Sequence, residues 1–275
     1  MNKISTAPVY DSARRVSPAL EELKALFQYN NLVLQMVRRD ILTRYKRSIL
    51  GVAWTMLNPL GTTLVLAFVF SSVFGSTVNY AAYVLSGLIA WTFFSQATNA
   101  CIVNLVWGGS LLRRIYVPRT VFAVSSMGTG LVNFTLSLVP LILVILVSGI
   151  PLTLNALLLP IPMLFLAMFA LGVGLIVSNL AIFFADIAEM YAIVLTAWMY
   201  LSPVIYTIET LPPQYQQLLK LNPMYHLINL FRAVIYEGRT PTLNEFLISG
   251  GIALSTLLVG WLVFTKKSDE FAYRV

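Results

Sequence analysis

The amino-acid sequence predicts an all-α polytopic membrane protein with six transmembrane helices. Hydrophobic residues make up 58% of the 275 residues and charged residues only 11%, whereas soluble domains carry roughly 25% charged residues. Residues 52–74 also contain no charged side chain, and about 20 apolar residues in a helix cross a hydrocarbon core of about 30 Å. This composition leaves no room for a separate soluble domain.

The chain divides into four regions on this basis. Residues 1–20 lack a contiguous apolar core, so they are not a cleaved signal peptide, and we expect a flexible cytoplasmic tail there. Residues 21–50 form an amphipathic interface region, and residues 51–265 form the six-span transmembrane domain. Residues 266–275 form a second cytoplasmic tail.

A basic amphipathic helix is predicted within residues 32–50. Its apolar side carries Leu34, Val37, Ile41, Tyr45 and Ser48. Its opposite side carries Gln35, Arg39, Thr43, Lys46 and Arg47. Such a helix lies in a membrane interface, with its cations toward anionic headgroups. A solvated helix of a soluble domain is the alternative, but the uncharged run follows directly, with Gly51 as the turning point.

The six predicted spans are residues 52–74, 83–106, 120–147, 156–184, 187–206 and 246–264. Basic residues cluster before the first span, between the second and third, and after the sixth. They are Arg38, Arg39, Arg44, Lys46 and Arg47, then Arg113, Arg114 and Arg119, then Lys266, Lys267 and Arg274. The positive-inside rule therefore places both termini in the cytoplasm.

The segment between the fifth and sixth spans, residues 207–244, is predicted to lie outside and to contain re-entrant helices. Its apolar run, residues 224–236, is too short to cross a bilayer. Arg232 lies within this run. It could contact a substrate, but we favour the alternative, in which it reaches the interface or caps a neighbouring carbonyl.

The loop between the second and third spans reads WGGSLLRRIYVPR. The loop opens with Gly108 and Gly109 and closes at Pro118. This leaves room for two helical turns from Ser110 to Tyr116, with Ser110 as a possible N-cap. A short surface helix of this kind would suit contact with a motor subunit. A plain basic loop is an equally good interpretation.

Several kinds of chemistry are missing from the sequence. It has no nucleotide-binding signature, one histidine, and Cys101 as its lone cysteine. We therefore predict no metal site, no catalytic residues and no cofactor bound by this chain. The net charge of +7 comes from basic residues that flank apolar spans, which indicates lipid headgroups and not nucleic acid. A transporter of this composition must take its energy from a partner.

Aromatic side chains are the main candidates for a substrate path. Tyr191 and Trp198 are seven residues apart and share a helix face, and Phe68, Phe74 and Trp91 lie in the first two spans. Aromatic rings can stack on the apolar faces of sugars. Anchoring at the membrane interface is the alternative for each of them.

Three stretches resemble one protein family. They are RYKRSILGVAWTMLNPL, NLAIFFADIAEM and LSPVIYTIETLPPQYQQLLKLNPMYHLINLFRAVIYEG. They are similar to membrane subunits of type-2 ABC exporters, and most to the branch that exports lipid-linked polysaccharides such as O-antigen, capsule-like glycans and wall teichoic acid. The resemblance covers residues 35–265. One departure is Ala185, where this branch usually has an arginine before the aspartate.

The resemblance implies a homodimer whose first and fifth spans face each other across a pore, above two copies of a separate ATPase that binds ATP and magnesium. The coupling residues it implies are Ser110, Leu111, Leu112, Arg113, Arg114, Tyr116 and Asp186. The interface and gate residues it implies are Arg39, Arg44, Tyr45, Lys46, Arg47, Gly51 and Trp54. The external re-entrant residues it implies are Asn222, Pro223 and Arg232.

The expected function is therefore export of an undecaprenyl-linked polysaccharide across the bacterial cytoplasmic membrane, with membrane lipids around the subunit and no bond chemistry in this chain. An exporter of a drug, a lipid or another small hydrophobic molecule is the nearest alternative. A membrane enzyme that acts on polyprenyl-linked sugars is a further one, and the lack of paired carboxylates argues against it.

Overall fold

The described part of the chain is helical and contains no strand. The computed structural model describes residues 17–46, 51, 53–74, 79–106, 117–184 and 186–267, without the side chains of Tyr45 and of residues 72–74. The helices are α1 (Pro18–Gln28), α2 (Asn30–Tyr45), α3 (Ala53–Phe74), α4 (Tyr80–Val106), α5 (Thr120–Val147), α6 (Pro160–Phe183), α7 (Ile187–Tyr200), α8 (Pro213–Leu219), α9 (Pro223–Ile235) and α10 (Leu243–Lys266). Short 3-10 turns cover Leu154–Leu158 and Ile208–Thr210. The all-α prediction is confirmed.

Four stretches among the described residues are long and apolar enough to cross a membrane: Ala53–Ser71, Thr120–Val147, Leu154–Phe183 and Leu243–Lys266. Helix α4 has 27 residues, but its polar side chains lower its hydropathy. Helix α7 has 14 residues and is about 21 Å long, less than a hydrocarbon core. The count of six spans therefore stays a prediction.

Helix α7 is shorter than the predicted fifth span, which extended to residue 206. The helix ends at Tyr200. Pro203 follows three residues later, and proline restricts the residue before it to non-helical backbone. Residues 201–207 therefore form a turn that leads out of the helix. The fourth predicted span likewise starts as a 3-10 turn, and α6 begins at Pro160, a favourable first helical position.

Helix α4 is the central helix of the fold, because α3, α5, α6, α7 and α9 all pack against it. Phe94, Leu85 and Ile102 are fully or almost fully buried along it. Its buried polar side chains, Ser86 and Thr98, are hydrogen-bonded inside the bundle, as most buried polar groups are. For example, Thr98 Oγ1 accepts from Tyr191 Oη of α7 at 2.9 Å.

The N-terminal helices cover the end of the bundle where α5 begins and α10 finishes. The residues predicted as a tail already include the start of α1, because Pro18 occupies its first turn. Thr120 Oγ1 donates to Glu22 at 2.7 Å, and Trp261 Nε1 donates to the Ala19 carbonyl at 3.1 Å. These contacts fix α1 against α5 and α10.

Helix α2 packs against α5, with Val37 beside Gly128, and its Met36 is 4% exposed. A β-carbon added at Gly128 of α5 would lie 2.8 Å from Val37 Cγ2, so the small residue permits this approach. Leu34, predicted to share the apolar side, is 65% exposed. Helix α2 therefore has apolar side chains on two sides. One side packs against α5, and the other, which carries Leu34, faces outward.

Candidate functional site

Helices α3 and α7 each have an exposed apolar face. On α3, Leu64 and Phe68 are 70% and 86% exposed. On α7, Ile193 and Tyr200 are 73% and 61% exposed. An apolar helix face without a protein partner suits contact with lipid or with another transmembrane helix. Among the side chains that the structure describes, one predicted path residue, Phe68, lies on these faces.

Trp91 and Trp198, by contrast, belong to an aromatic cluster inside the fold. Their ring centroids are 6.2 Å apart, and the Phe94 ring lies 5.5 Å from Trp91 and 5.3 Å from Trp198. Phe169 of α6 stacks on Phe94 at 5.4 Å. The cluster therefore joins α4, α6 and α7 within one chain.

Tyr191 lies in the same interior and is 6% exposed. Its hydroxyl donates to Thr98 Oγ1 at 2.9 Å. A sugar could reach Tyr191 or Trp91 only if α7 separated from α4, whereas Trp198 is partly buried. The role of these rings in a substrate path stays a prediction. The Phe74 side chain lies outside the described residues.

Asn222 links the end of α7 to the start of α9. Its Oδ1 accepts from the Met224 backbone N–H at 3.0 Å, which caps α9, and from Trp198 Nε1 at 2.9 Å. Its Nδ2 donates to the Leu201 carbonyl and to Ser202 Oγ, both at 2.9 Å. Asn222 thus uses all its hydrogen-bonding groups, and Pro223 follows at the first helical position.

Arg232 of α9 is 1% exposed and makes five hydrogen bonds to uncharged oxygens. Nη1 donates to Tyr83 Oη at 2.9 Å and to the Pro203 carbonyl at 2.6 Å. Nη2 donates to the carbonyls of Tyr83 and Val204 at 3.1 and 3.0 Å. Nε donates to Ser86 Oγ at 3.3 Å. The guanidinium therefore joins α9, α4 and the turn after α7.

Two further features support this Arg232 cluster. The guanidinium carbon lies 3.6 Å from the centroid of the Tyr83 ring, which is cation–π geometry. A β-carbon at Gly87 would lie 2.3 Å from Arg232 Nη2, so only glycine leaves room for the guanidinium. Desolvation lowers the pKa of Arg232, but arginine's ordinary pKa is high enough that the group stays charged. In this conformation Arg232 caps carbonyls, and a substrate cannot reach it.

The predicted external segment contains the expected helix pair, α8 and α9. Helix α9 packs against α4, α6 and α10. Beyond it, Arg239 forms an ion pair at 2.6 Å with Glu245 of α10, whose start carries a capping box with Thr242. The hydrogen bond to Glu245 raises the pKa of Arg239. How deeply α8 and α9 enter a membrane stays a prediction.

The predicted gate residues lie around the start of α3. Gly51 has a φ of +48°, a left-handed conformation that favours glycine at this turn. Arg39 pairs with Asp40 at 2.8 Å, while Arg44 and Lys46 are exposed. Trp54 is 57% exposed. The Tyr45 side chain and all of Arg47 lie outside the described residues.

The predicted coupling helix also lies outside the described residues, which omit positions 107–116. Its candidates there are Ser110, Leu111, Leu112, Arg113, Arg114 and Tyr116. Asp186 is described, and it is exposed immediately before α7. Within the described ranges, no group of histidine, cysteine, aspartate and glutamate side chains is placed to hold a metal ion.

The comparisons with known proteins agree on one family. The family described as ABC-2 type transporter matches residues 31–236. The chain is 30% identical over 254 residues to the O-antigen export system permease protein RfbA of Myxococcus xanthus, covering 91% of this chain and 97% of that protein. It is 29% identical over 231 residues to the capsule polysaccharide export inner-membrane protein CtrC of Neisseria meningitidis serogroup A, covering 81% and 85%. It is 25% identical over 232 residues to the polysialic acid transport protein KpsM of Escherichia coli, covering 82% and 86%.

Proposed function

This chain belongs to the ABC-2 type transporter family, and we propose that it is the transmembrane subunit of a polysaccharide exporter in a bacterial inner membrane. The observation that carries the proposal is coverage: the similarity spans 97% of an O-antigen export permease and 85% of a capsule export protein. By their names, one relative serves O-antigen export and the other capsule polysaccharide export. The proposed cargo is a glycan attached to undecaprenyl diphosphate.

Two copies of the chain would form the exporter's pore. The exposed faces of α3 and α7 support this arrangement, because each leaves large apolar side chains such as Leu64 and Ile193 uncovered within one chain. In a dimer the α3 face of one copy would meet the α7 face of the other. Phe68 and Tyr200 would then be the aromatic side chains nearest the path, and Tyr200 was not among the sequence candidates.

A separate ATPase would supply the energy, since the sequence carries no nucleotide-binding signature. Both termini and the loop between α4 and α5 would face the cytoplasm, in line with their basic residues. The ATPase would contact residues 110–116 there, and Asp186 lies beside α7 on the same proposed side. ATP and magnesium would bind to the partner.

Replacement of Leu111 and Leu112 by aspartate is expected to detach or uncouple the ATPase without stopping membrane insertion. The reason is that two carboxylates would have to be desolvated in the proposed contact, where leucine side chains would carry no such cost. The measurement is co-purification of the ATPase with the membrane subunit, together with its ATP hydrolysis. Normal co-purification and normal glycan-dependent hydrolysis would show that these residues form only a loop.

Deletion of the gene tests the function itself. We expect cells to lose surface polysaccharide and to accumulate lipid-linked glycan inside, with both restored by the intact chain on a plasmid. The measurement is surface glycan by immunoblot and intracellular lipid-linked glycan by mass spectrometry. Normal surface glycan combined with sensitivity to hydrophobic drugs would instead identify an exporter of small molecules.

A further inference from the structure

A polar cleft lies within one chain, between α2, α3, α4 and α5. Its volume is about 740 Å³, which falls within the usual range of small-molecule sites. It is lined over about three turns of α5, from Ser126 to Ser137, and by a longer stretch of α4. The lining residues belong to α2, α3, α4 and α5 and to the turn at Gly51.

The cleft's walls are rich in uncharged hydrogen-bonding groups. Asn58 of α3 and Gln96 and Asn99 of α4 line it, and none of these three side chains hydrogen-bonds to another described residue. Polar side chains at membrane depth normally face the bundle interior or a cavity and are paired there. Three amides with unused donors and acceptors therefore indicate a site that receives a polar ligand or water.

Thr129 of α5 strengthens this interpretation. It lines the cleft and is 8% exposed, yet its hydroxyl has no hydrogen-bond partner in the described structure. Other helical threonines here, such as Thr98 and Thr265, donate to the carbonyl four residues earlier at 2.9 and 2.8 Å. Thr129 has a buried hydroxyl available for a ligand.

The kind of ligand follows from the lining. Amides and hydroxyls both donate and accept hydrogen bonds, as sugar hydroxyls do, and Trp54 and Phe93 add aromatic surface on which a sugar ring can stack. The charged lining residues in the described structure are Asp40 and Arg44 of α2. Asp40 is paired with Arg39, which leaves Arg44 as the lining cation that could meet an anionic group.

We propose that this cleft binds the sugars nearest the lipid end of the exported glycan, with the diphosphate at Arg44, inside each protomer and before the glycan enters the shared pore. The proposal rests on the proposed function for the identity of the glycan. The cleft would hold the first sugars by several exchangeable hydrogen bonds. No covalent step is involved.

The test measures protection of a cysteine introduced by Val103→Cys, in a Cys101→Ser background, in proteoliposomes of phosphatidylethanolamine. Val103 lines the cleft and is 53% exposed. The probe is undecaprenyl diphosphate–N-acetylglucosamine. At about ten times its Kd, we expect maleimide labelling to slow roughly tenfold, because about one site in eleven stays free. Undecaprenyl phosphate without sugar and phosphatidylglycerol should protect far less, because they lack the sugar that the amides and hydroxyls would bind.

Substitutions of residues that line the cleft test which side chains contact the glycan. Gln96→Met and Thr129→Val should each raise the concentration for half protection about five- to tenfold, because each removes one hydrogen bond to the ligand. Thr63→Val is the matched control, because Thr63 is also buried with an unpaired hydroxyl but does not line the cleft. It should leave the concentration for half protection unchanged.

Three outcomes would overturn the proposal. Equal protection by sugar-free undecaprenyl phosphate or by phosphatidylglycerol would make the cleft a lipid headgroup site. Probe protection of a cysteine from Phe68→Cys, with none from Val103→Cys, would place the glycan on the exposed α3 face and leave the proposed function intact. An unchanged concentration for half protection in both Gln96→Met and Thr129→Val would show that neither side chain contacts the glycan. The deletion experiment above decides the function independently of all three.

Discussion

Arg232→Leu is expected to cause the largest loss of stability of any single substitution in the external part of the chain. The change leaves the Pro203 and Val204 carbonyls without the guanidinium that now bonds to them, and each buried polar group left unpaired costs about 1–3 kcal/mol. A total loss of about 4 kcal/mol corresponds to a fall in Tm of roughly 10 °C for a chain of this size. The measurement is thermal unfolding in detergent, followed by size-exclusion chromatography.

Arg232→Lys should recover little of this loss, because an ammonium group has three donors and cannot match the planar fork of five N–H groups. Gly87→Ala should act in the same direction as Arg232→Leu, since its β-carbon would occupy the position of Nη2. Arg239→Lys is the control. Arg239 is a more exposed arginine nearby that pairs with carboxylates, and such pairs contribute little. A Tm for Arg232→Leu within about 2 °C of the unmodified protein would contradict the assigned role.

Gly260→Ala is expected to separate α6 from α10 and to produce the second largest loss of stability. The two helices form the most extensive helix pair in the described structure. A β-carbon at Gly260 would lie 2.3 Å from the Gly172 carbonyl oxygen, and one at Gly172 would lie 2.4 Å from the Thr256 carbonyl oxygen. Backbone atoms cannot rotate away, so we expect a cost near 3 kcal/mol, the upper part of the range for overpacking, and a fall in Tm of roughly 6–12 °C.

Gly251→Ala is the matched control for this prediction. Gly251 lies on the same helix, α10, and a β-carbon there would have no neighbour within 4 Å. Alanine is the better helix former by about 0.5–1 kcal/mol, so this variant should unfold at the same temperature or slightly above the unmodified protein. Similar Tm values for Gly260→Ala and Gly251→Ala would show that the close approach of α6 and α10 contributes nothing.

The sequence by itself determined the class of fold and the family. Uncharged runs such as residues 120–147 predicted long helices because apolar side chains repeated through about 20 residues suit a hydrocarbon environment. Gly51 was identified as a turn, and its positive φ agrees. The stretches around Asn222 and Trp54 were sufficient to indicate type-2 ABC exporters, and the family match over residues 31–236 confirms that assignment. Local composition and residue spacing are sufficient to predict the fold class, the turn at Gly51 and the family.

Tertiary structure alone decided which side chains are enclosed. Tyr191 and Trp198 share a helix face, as predicted, but that face packs against Thr98 and Trp91 of α4 within the same chain. The sequence could not identify this partner because helical periodicity states only that residues share a face. It does not state what the face contacts. The exposed position of Tyr200 was missed for the same reason.

The Arg232 cluster and the polar cleft show the same limit. Arg232 and its acceptor Ser86 are 146 residues apart, and the cleft combines Asn58, Gln96 and Thr129 from three helices. Nothing local to any of these residues indicates the others, because their proximity results from how α3, α4, α5 and α9 pack. The sequence determined which polar groups enter the membrane. The fold determined which of them are paired and which, as in the cleft, have unused hydrogen-bonding groups.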